Sequence, residues 1–395
     1  MGSLTSIYIS CIAFILVCTA GAENLFSAKS GPVRQRHLSY SIFQDLARLQ
    51  LDRHDYAAAV YFAQRAVSLN QKDLASTILL VRAYLEQKAY LKIFENVERW
   101  RMHDPANPEV REVYIRALAG FGENALAIEE MRALLENYPT VSEYQLLFAQ
   151  ILQEVGMFSA AEGHLRMVLQ TQIKNKVAII ELAGVLGKQG KYNEARDWLY
   201  QAGLQDPTDV APLFHLGKLY VEAGHAKAAL LQFEQVLKKN PLYPGAHYYT
   251  AKAFFATGDS DRALAELQME LNVNPNHADS YVLAGDIQFS RKDYHSCISS
   301  YQKGIAVRES SADLYAKQAR CFRLLGEFDS ALALLRTADR NEPNYPMVWK
   351  EMGALCEMKQ NFACAIEAYR HYLNLSPNAP DQSIIEERVL ALLDL

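Results

Sequence analysis

Between Tyr40 and Ala379 the sequence runs through ten consecutive repeats of 34 residues with no insertion. A period of that length means a stack of small supersecondary elements, each touching only its neighbours, rather than one compact core. Four columns carry the period. Position eight is small in eight repeats: Ala47, Ala149, Ala183, Gly217, Ala251, Gly285, Ala319 and Gly353. Position twenty is alanine in eight, from Ala59 to Ala365. Position thirty-two is proline in seven, among them Pro105, Pro207 and Pro377, and position seventeen is aromatic in seven, including Tyr56, Tyr192 and Phe362.

Within a repeat, apolar residues recur at helical spacing, pause at a short polar or glycine-bearing turn such as Gly190-Lys191-Tyr192, and resume. That pattern predicts two antiparallel helices per repeat. Small side chains at positions eight and twenty let the two backbones approach, as Gly217 against Ala229. Proline ends the second helix, because it lacks an amide donor and clashes with the preceding turn. One hairpin cannot bury its own apolar faces, whereas a stack of them can.

In its period and in these columns the chain resembles the tetratricopeptide repeat family, most closely in the tenth repeat with Trp349, Met352, Gly353, Phe362, Ala365, Tyr369 and Pro377. The resemblance implies an all-α, right-handed superhelical solenoid of antiparallel helix hairpins. Its concave groove would be lined by the first helix of each repeat. Val81, Ile93 and Ile115 depart from the pattern where small residues are expected. Residues 380–395 are predicted to form a capping helix, with Ser383 and Glu386 as a capping box and Ile385, Val389, Leu392 and Leu393 as its apolar stripe. Residues 23–39 read as a short polar linker.

A net charge of −5 offers no field that would draw nucleic acid. No phosphate-binding glycine loop, HExxH motif or nucleophile elbow occurs, and the six cysteines contain no CxxC pair. No catalytic centre, cofactor or metal is expected. Cys297, Cys321, Cys356 and Cys364 read as small buried hydrophobes. A sharper alternative bonds Cys356 to Cys364, which face each other across the tenth hairpin turn, and needs an oxidising compartment.

Function is expected in the groove. Position nine, which the family resemblance places on the concave side, is basic in six repeats: Arg48, Arg82, Arg116, Lys218, Lys252 and Arg320. Beside two of these, Phe214 and Tyr248 at position five and Phe255 and Phe289 at position twelve add aromatic surface. The candidate partner site is therefore Phe214, Lys218, Tyr248, Lys252, Phe255 and Phe289, with the ladder Arg48, Arg82 and Arg116. The family's chaperone-tail clamp is not expected, because asparagine is absent from position nine throughout.

The first 22 residues hold no Asp, Glu, Lys or Arg, and Ala20-Gly21-Ala22 supplies a small-x-small cleavage pattern before Glu23. Export after cleavage is one reading, to the periplasm or out of the cell. An uncleaved anchor over residues 4–22 is the other, although its apolar run falls short of the roughly 20 residues that span a bilayer. Together these features predict a non-catalytic protein–protein adaptor, exported or membrane-tethered, that supports a multiprotein, cell-envelope type of complex. A cytosolic assembly subunit or a regulatory subunit of a separate enzyme is the alternative. Terminal sequencing of the protein from native cells should find Glu23 first; intact Met1–Ala22 peptides in the membrane fraction would select the anchor.

Overall fold

The computed structural model describes residues 32–70, 73–101, 107–308 and 310–394. The export-or-anchor segment lies outside the described residues. Among those described there are twenty-one helices and no strand, from α1 (Pro32–Asp52) to α21 (Gln382–Leu393), and consecutive helices form pairs in step with the 34-residue period. α1 begins inside the segment read as a linker, eight residues before the first repeat. The chain divides into two compact bodies, one ending at Ala178 and the other beginning at Ile179.

The turn inside every hairpin is built the same way in all ten repeats. Position fifteen has a positive φ: glycine in six repeats, such as Gly190 at 75° and Gly326 at 81°, and His54, Lys88, Lys292 and Gln360 at 55–60° in the others. The residue after it donates its amide back to the carbonyl of position eleven, as Lys191 to Leu186 and Glu327 to Phe322, at 2.8–3.0 Å. This is the six-to-one bond that closes a helix through a left-handed residue. Only glycine adopts that conformation freely, so the four side-chain-bearing turns each carry a local cost of roughly 1–2 kcal/mol.

Packing between the paired helices follows a rule of matched volumes. The alanines of columns eight and twenty are at most 2% exposed, and Val81, Ile93 and Ile115 are equally buried. The space at Gly217 is filled by the Phe233 ring, which shares a core cluster with Ala229. A Cβ built there would fall within 3.0 Å of the Phe233 ring, and the same holds for Gly285 against Tyr301 and Gly353 against Tyr369. Those three rings occupy position twenty-four. Where position eight is alanine in this second body, position twenty-four is leucine instead: Leu199, Leu267 and Leu335. Ala251 with Leu267, and Ala319 with Leu335, share core clusters. Glycine admits a ring, and alanine admits a leucine.

At the C-terminal end α19 (Pro346–Met358) and α20 (Phe362–Leu375) receive the capping helix. Ile385, Val389 and Leu392 enter a core with Tyr369 and Tyr372, but Leu393 is 51% exposed and does not belong to the stripe. The expected capping box is absent: Ser383 lies inside α21, the N-cap is Asp381, and no side-chain cap bond forms. Asp381 instead latches the helix to the tenth repeat, accepting from the Tyr372 hydroxyl at 2.6 Å and pairing with Lys350 Nζ at 2.6 Å. These contacts, Lys350 first, hold its carboxyl below the ordinary 3.8, while burial and then Asp381 push the Tyr372 phenol up to about 12.

The cysteines correct the reading of small, unbonded core residues. Cys356 is bonded to Cys364, and Cys297 is bonded to Cys321, with Cα separations of 5.8 and 6.8 Å.

Two outcomes follow from these contacts. Alanine in place of glycine ordinarily favours a helix by about 1 kcal/mol. Gly217→Ala should instead destabilise by about 1–3 kcal/mol through overpacking on Phe233. The pair Gly217→Ala/Phe233→Leu, which copies Ala251 and Leu267, should recover most of the loss in urea unfolding followed by helical signal. The latch should respond to acid. Its contribution is complete above the carboxyl's ordinary 3.8. It is lost as pH falls through the lower folded value, with a ceiling of about 1 kcal/mol for so exposed a pair. Amide exchange across Gln382–Leu393 should therefore speed up on acidification, and Asp381→Asn should remove that dependence.

Candidate functional site

The candidate residues fall in both bodies, and each body presents its own portion. In the first, Arg48 and Arg82 are exposed, and Arg116 is paired with Glu112 one helical turn away at 2.8 Å. In the second, the first helices of repeats six and seven are α11 (Ala211–Glu222) and α13 (Ala246–Ala256). Positions five, six and nine of these two helices meet along one face.

Phe214 does not belong to the exposed face. It is 7% exposed, and its ring packs on Tyr243 at 4.9 Å, Tyr249 at 5.5 Å and Phe233 at 6.0 Å between centroids. The next repeat covers it, so Phe214 is a support and not an anchor. Phe255 likewise packs against the core of Ala251, Leu267 and Ile287.

Tyr249 takes the place assigned to Phe214. Lys218 Nζ lies 5.0 Å from the Tyr249 ring centre and Lys252 Nζ lies 5.5 Å from it, so two ammonium groups share one ring. Lys218 also approaches Phe214 at 5.8 Å, and Lys252 approaches Tyr248 at 5.8 Å. The half-buried Tyr248 ring meets His277 edge-on at 5.0 Å, and burial followed by Asp279 pushes its phenol up to about 12. His215 is lowered to about 4 by burial and then by Lys218, so it is neutral at physiological pH. Tyr249 stands at position six of the seventh repeat, a column that the sequence pattern of basic position nine and aromatic positions five and twelve does not include.

Further along the same body the cations of this face are neutralised. Lys317 pairs with Asp286 at 3.2 Å and Arg323 with the buried Glu351 at 2.9 Å, while Arg320 sits 3.6 Å from Glu351 and 4.3 Å from the Phe289 ring centre. Tyr301, the ring that fills the gap at Gly285, sends its hydroxyl to Asp286 at 2.6 Å. At the equivalent place in repeat six the ring is Phe233, which has no hydroxyl, and position nine is Lys218. Among the described residues neither Lys218 nor Lys252 forms an ion pair, so the Lys218–Tyr249–Lys252 cluster is a local concentration of positive charge without a contacting carboxylate. Among the described residues no group of three or more His, Cys, Asp or Glu is arranged to hold a metal, and no helix is long and apolar enough to cross a membrane.

Comparison with known proteins agrees with this architecture. A family model described as tetratricopeptide repeat matches residues 214–280, which contain the cluster. No curated protein matches the chain. Among solved structures, yeast Tom70 aligns over 90% of this chain and 96% of its own with a TM-score of 0.52 at 11% identity. A tetratricopeptide repeat protein from Parabacteroides merdae aligns over 64% of this chain and 98% of its own, with a TM-score of 0.47 at 18% identity. The period, the ten like turns, the all-helical pairing and the likeness to Tom70 agree on the fold: the described residues form a helical-repeat array consistent with the tetratricopeptide repeat family, whose model matches residues 214–280.

Proposed function

We propose that this protein is a non-catalytic scaffold for protein–protein contacts and that its second body holds an acidic peptide segment on Lys218, Tyr249 and Lys252. The observation that carries this reading is the pair of unpaired lysines sharing one ring, on a face whose other cations have carboxylate partners. A carboxylate placed between the two ammonium groups would make charge-assisted hydrogen bonds, and its chain would lie across Tyr249 and Tyr248. An exported or membrane-tethered setting, in a multiprotein assembly of the cell-envelope type, is part of the same proposal. It is supported by the charge-free N-terminal stretch, by Ala20-Gly21-Ala22 and by two cysteine bonds, which persist in oxidising compartments.

Magnitudes choose the test. An exposed ion pair is worth about 0–1 kcal/mol, so Lys252→Ala alone should weaken binding by no more than about fivefold. Truncating an aromatic anchor costs about 2 kcal/mol or more, so Tyr249→Ala should weaken it about thirtyfold. A photoreactive phenylalanine at Tyr249 in native cells should cross-link to acidic segments, and Lys218→Glu/Lys252→Glu should abolish that capture. Equal capture by the charge-reversed protein would remove the site from this face. Phe214→Ala serves as the contrast: it should lower helical content by opening a core cavity worth about 3–5 kcal/mol.

A further inference from the structure

We infer that the two cysteine pairs are disulfides with different tasks: Cys297–Cys321 is a sealed staple, and Cys356–Cys364 is a reducible one that governs how firmly the capping helix docks. Cys297 stands at position twenty of the eighth repeat and Cys321 at position ten of the ninth, so their bond crosses from one repeat to the next. Both are 0% exposed. Cys356 and Cys364 belong to one repeat and flank its turn. Gln360 there has φ 57°, and Asn361 Oδ1 accepts from the Cys364 amide at 3.2 Å. Cys356 is 8% exposed and Cys364 is only partly buried.

Each bond forms when two thiols release two protons and two electrons to a small-molecule disulfide such as oxidised glutathione, which departs as two thiols. Reduction reverses this through attack of a thiolate on one sulfur, which requires access to that sulfur. The bond in the tenth repeat meets that requirement at Cys364, its partly exposed member. The bond between repeats does not, until the interface opens locally. The reducible bond also lies within the cap's own core. Cys356 packs with Tyr369, Tyr372, Ile385, Val389 and Leu392, and Cys364 sits against the same cluster. Freeing the two thiols releases the crossing between α19 and α20, the two helices on which α21 rests.

The test uses the full purified chain, oxidised with glutathione disulfide and then treated with dithiothreitol without denaturant. Timed samples are alkylated and resolved by peptide mass spectrometry. Cys356 and Cys364 should become labelled at least about tenfold faster than Cys297 and Cys321, because a sealed bond waits for local opening. Amide protection across Gln382–Leu393 should fall on the same time course. Cys356→Ser/Cys364→Ser should show the lowered protection with no reductant present while keeping the Cys297–Cys321 bond. Equal labelling rates for the two pairs would overturn the division of tasks. Full protection of Gln382–Leu393 after reduction, or in the double serine variant, would overturn the coupling to the cap. Four free thiols at these positions after oxidation would overturn both.

Discussion

The second body depends on how the two helices of each hairpin fit together, and there positions eight and twenty-four share one side-chain volume between them. Glycine at eight leaves room for a ring, as Gly217 for Phe233; alanine leaves room for a leucine. Interiors pack near crystal density, so one added methyl against a buried ring is felt at once. The left-handed turn at position fifteen then closes each hairpin at fixed length, which keeps the two columns facing each other in every repeat.

The binding face inherits its charge from that packing. Where the ring is Tyr301, its hydroxyl needs an acceptor and finds Asp286 at position nine, which draws in Lys317. Where the ring is Phe233, no acceptor is needed, and Lys218 at position nine stays unpaired beside Tyr249. In repeat eight core composition and groove charge are thus linked through one residue, whereas in repeat ten the Tyr369 hydroxyl donates to Glu357 at position twelve. The lysines' stems and the rings they cover are held by neighbouring repeats, so the site comes with its geometry in place.

The fold was legible because its signals are columnar: small residues, turn glycines and prolines each recur at one place for one mechanical reason. What escaped was pairing between columns. Position twenty-four alternates among Phe, Tyr and Leu in the second body, so no single residue type marks it, and the ring that fills the space at Gly217 is not visible in any column. In the sequence Phe214 reads as surface, because its cover, Tyr243 and Tyr249, belongs partly to the following repeat. Tyr249 stands at position six, outside the basic and aromatic columns that mark the groove in the sequence. The Cys297–Cys321 bond joins residues 24 apart across a repeat boundary, where neither neighbour carries a cysteine motif. The capping box failed because Asp381 occupies the N-cap and spends its carboxylate on Tyr372 and Lys350.

From repeat six to repeat ten the hairpins alternate strictly between the glycine–ring and the alanine–leucine kind. Genetic recombination among such repeats is therefore constrained in where it can cut. A crossover between repeats exchanges whole hairpins and leaves every volume matched. A crossover inside the turn joins the first helix of one kind to the second helix of the other. Half of those chimaeras would press a methyl into a ring, and the other half would leave a void beside a leucine. The turn is the most exposed and most uniform stretch of the repeat, yet it is the place where this array tolerates a splice least.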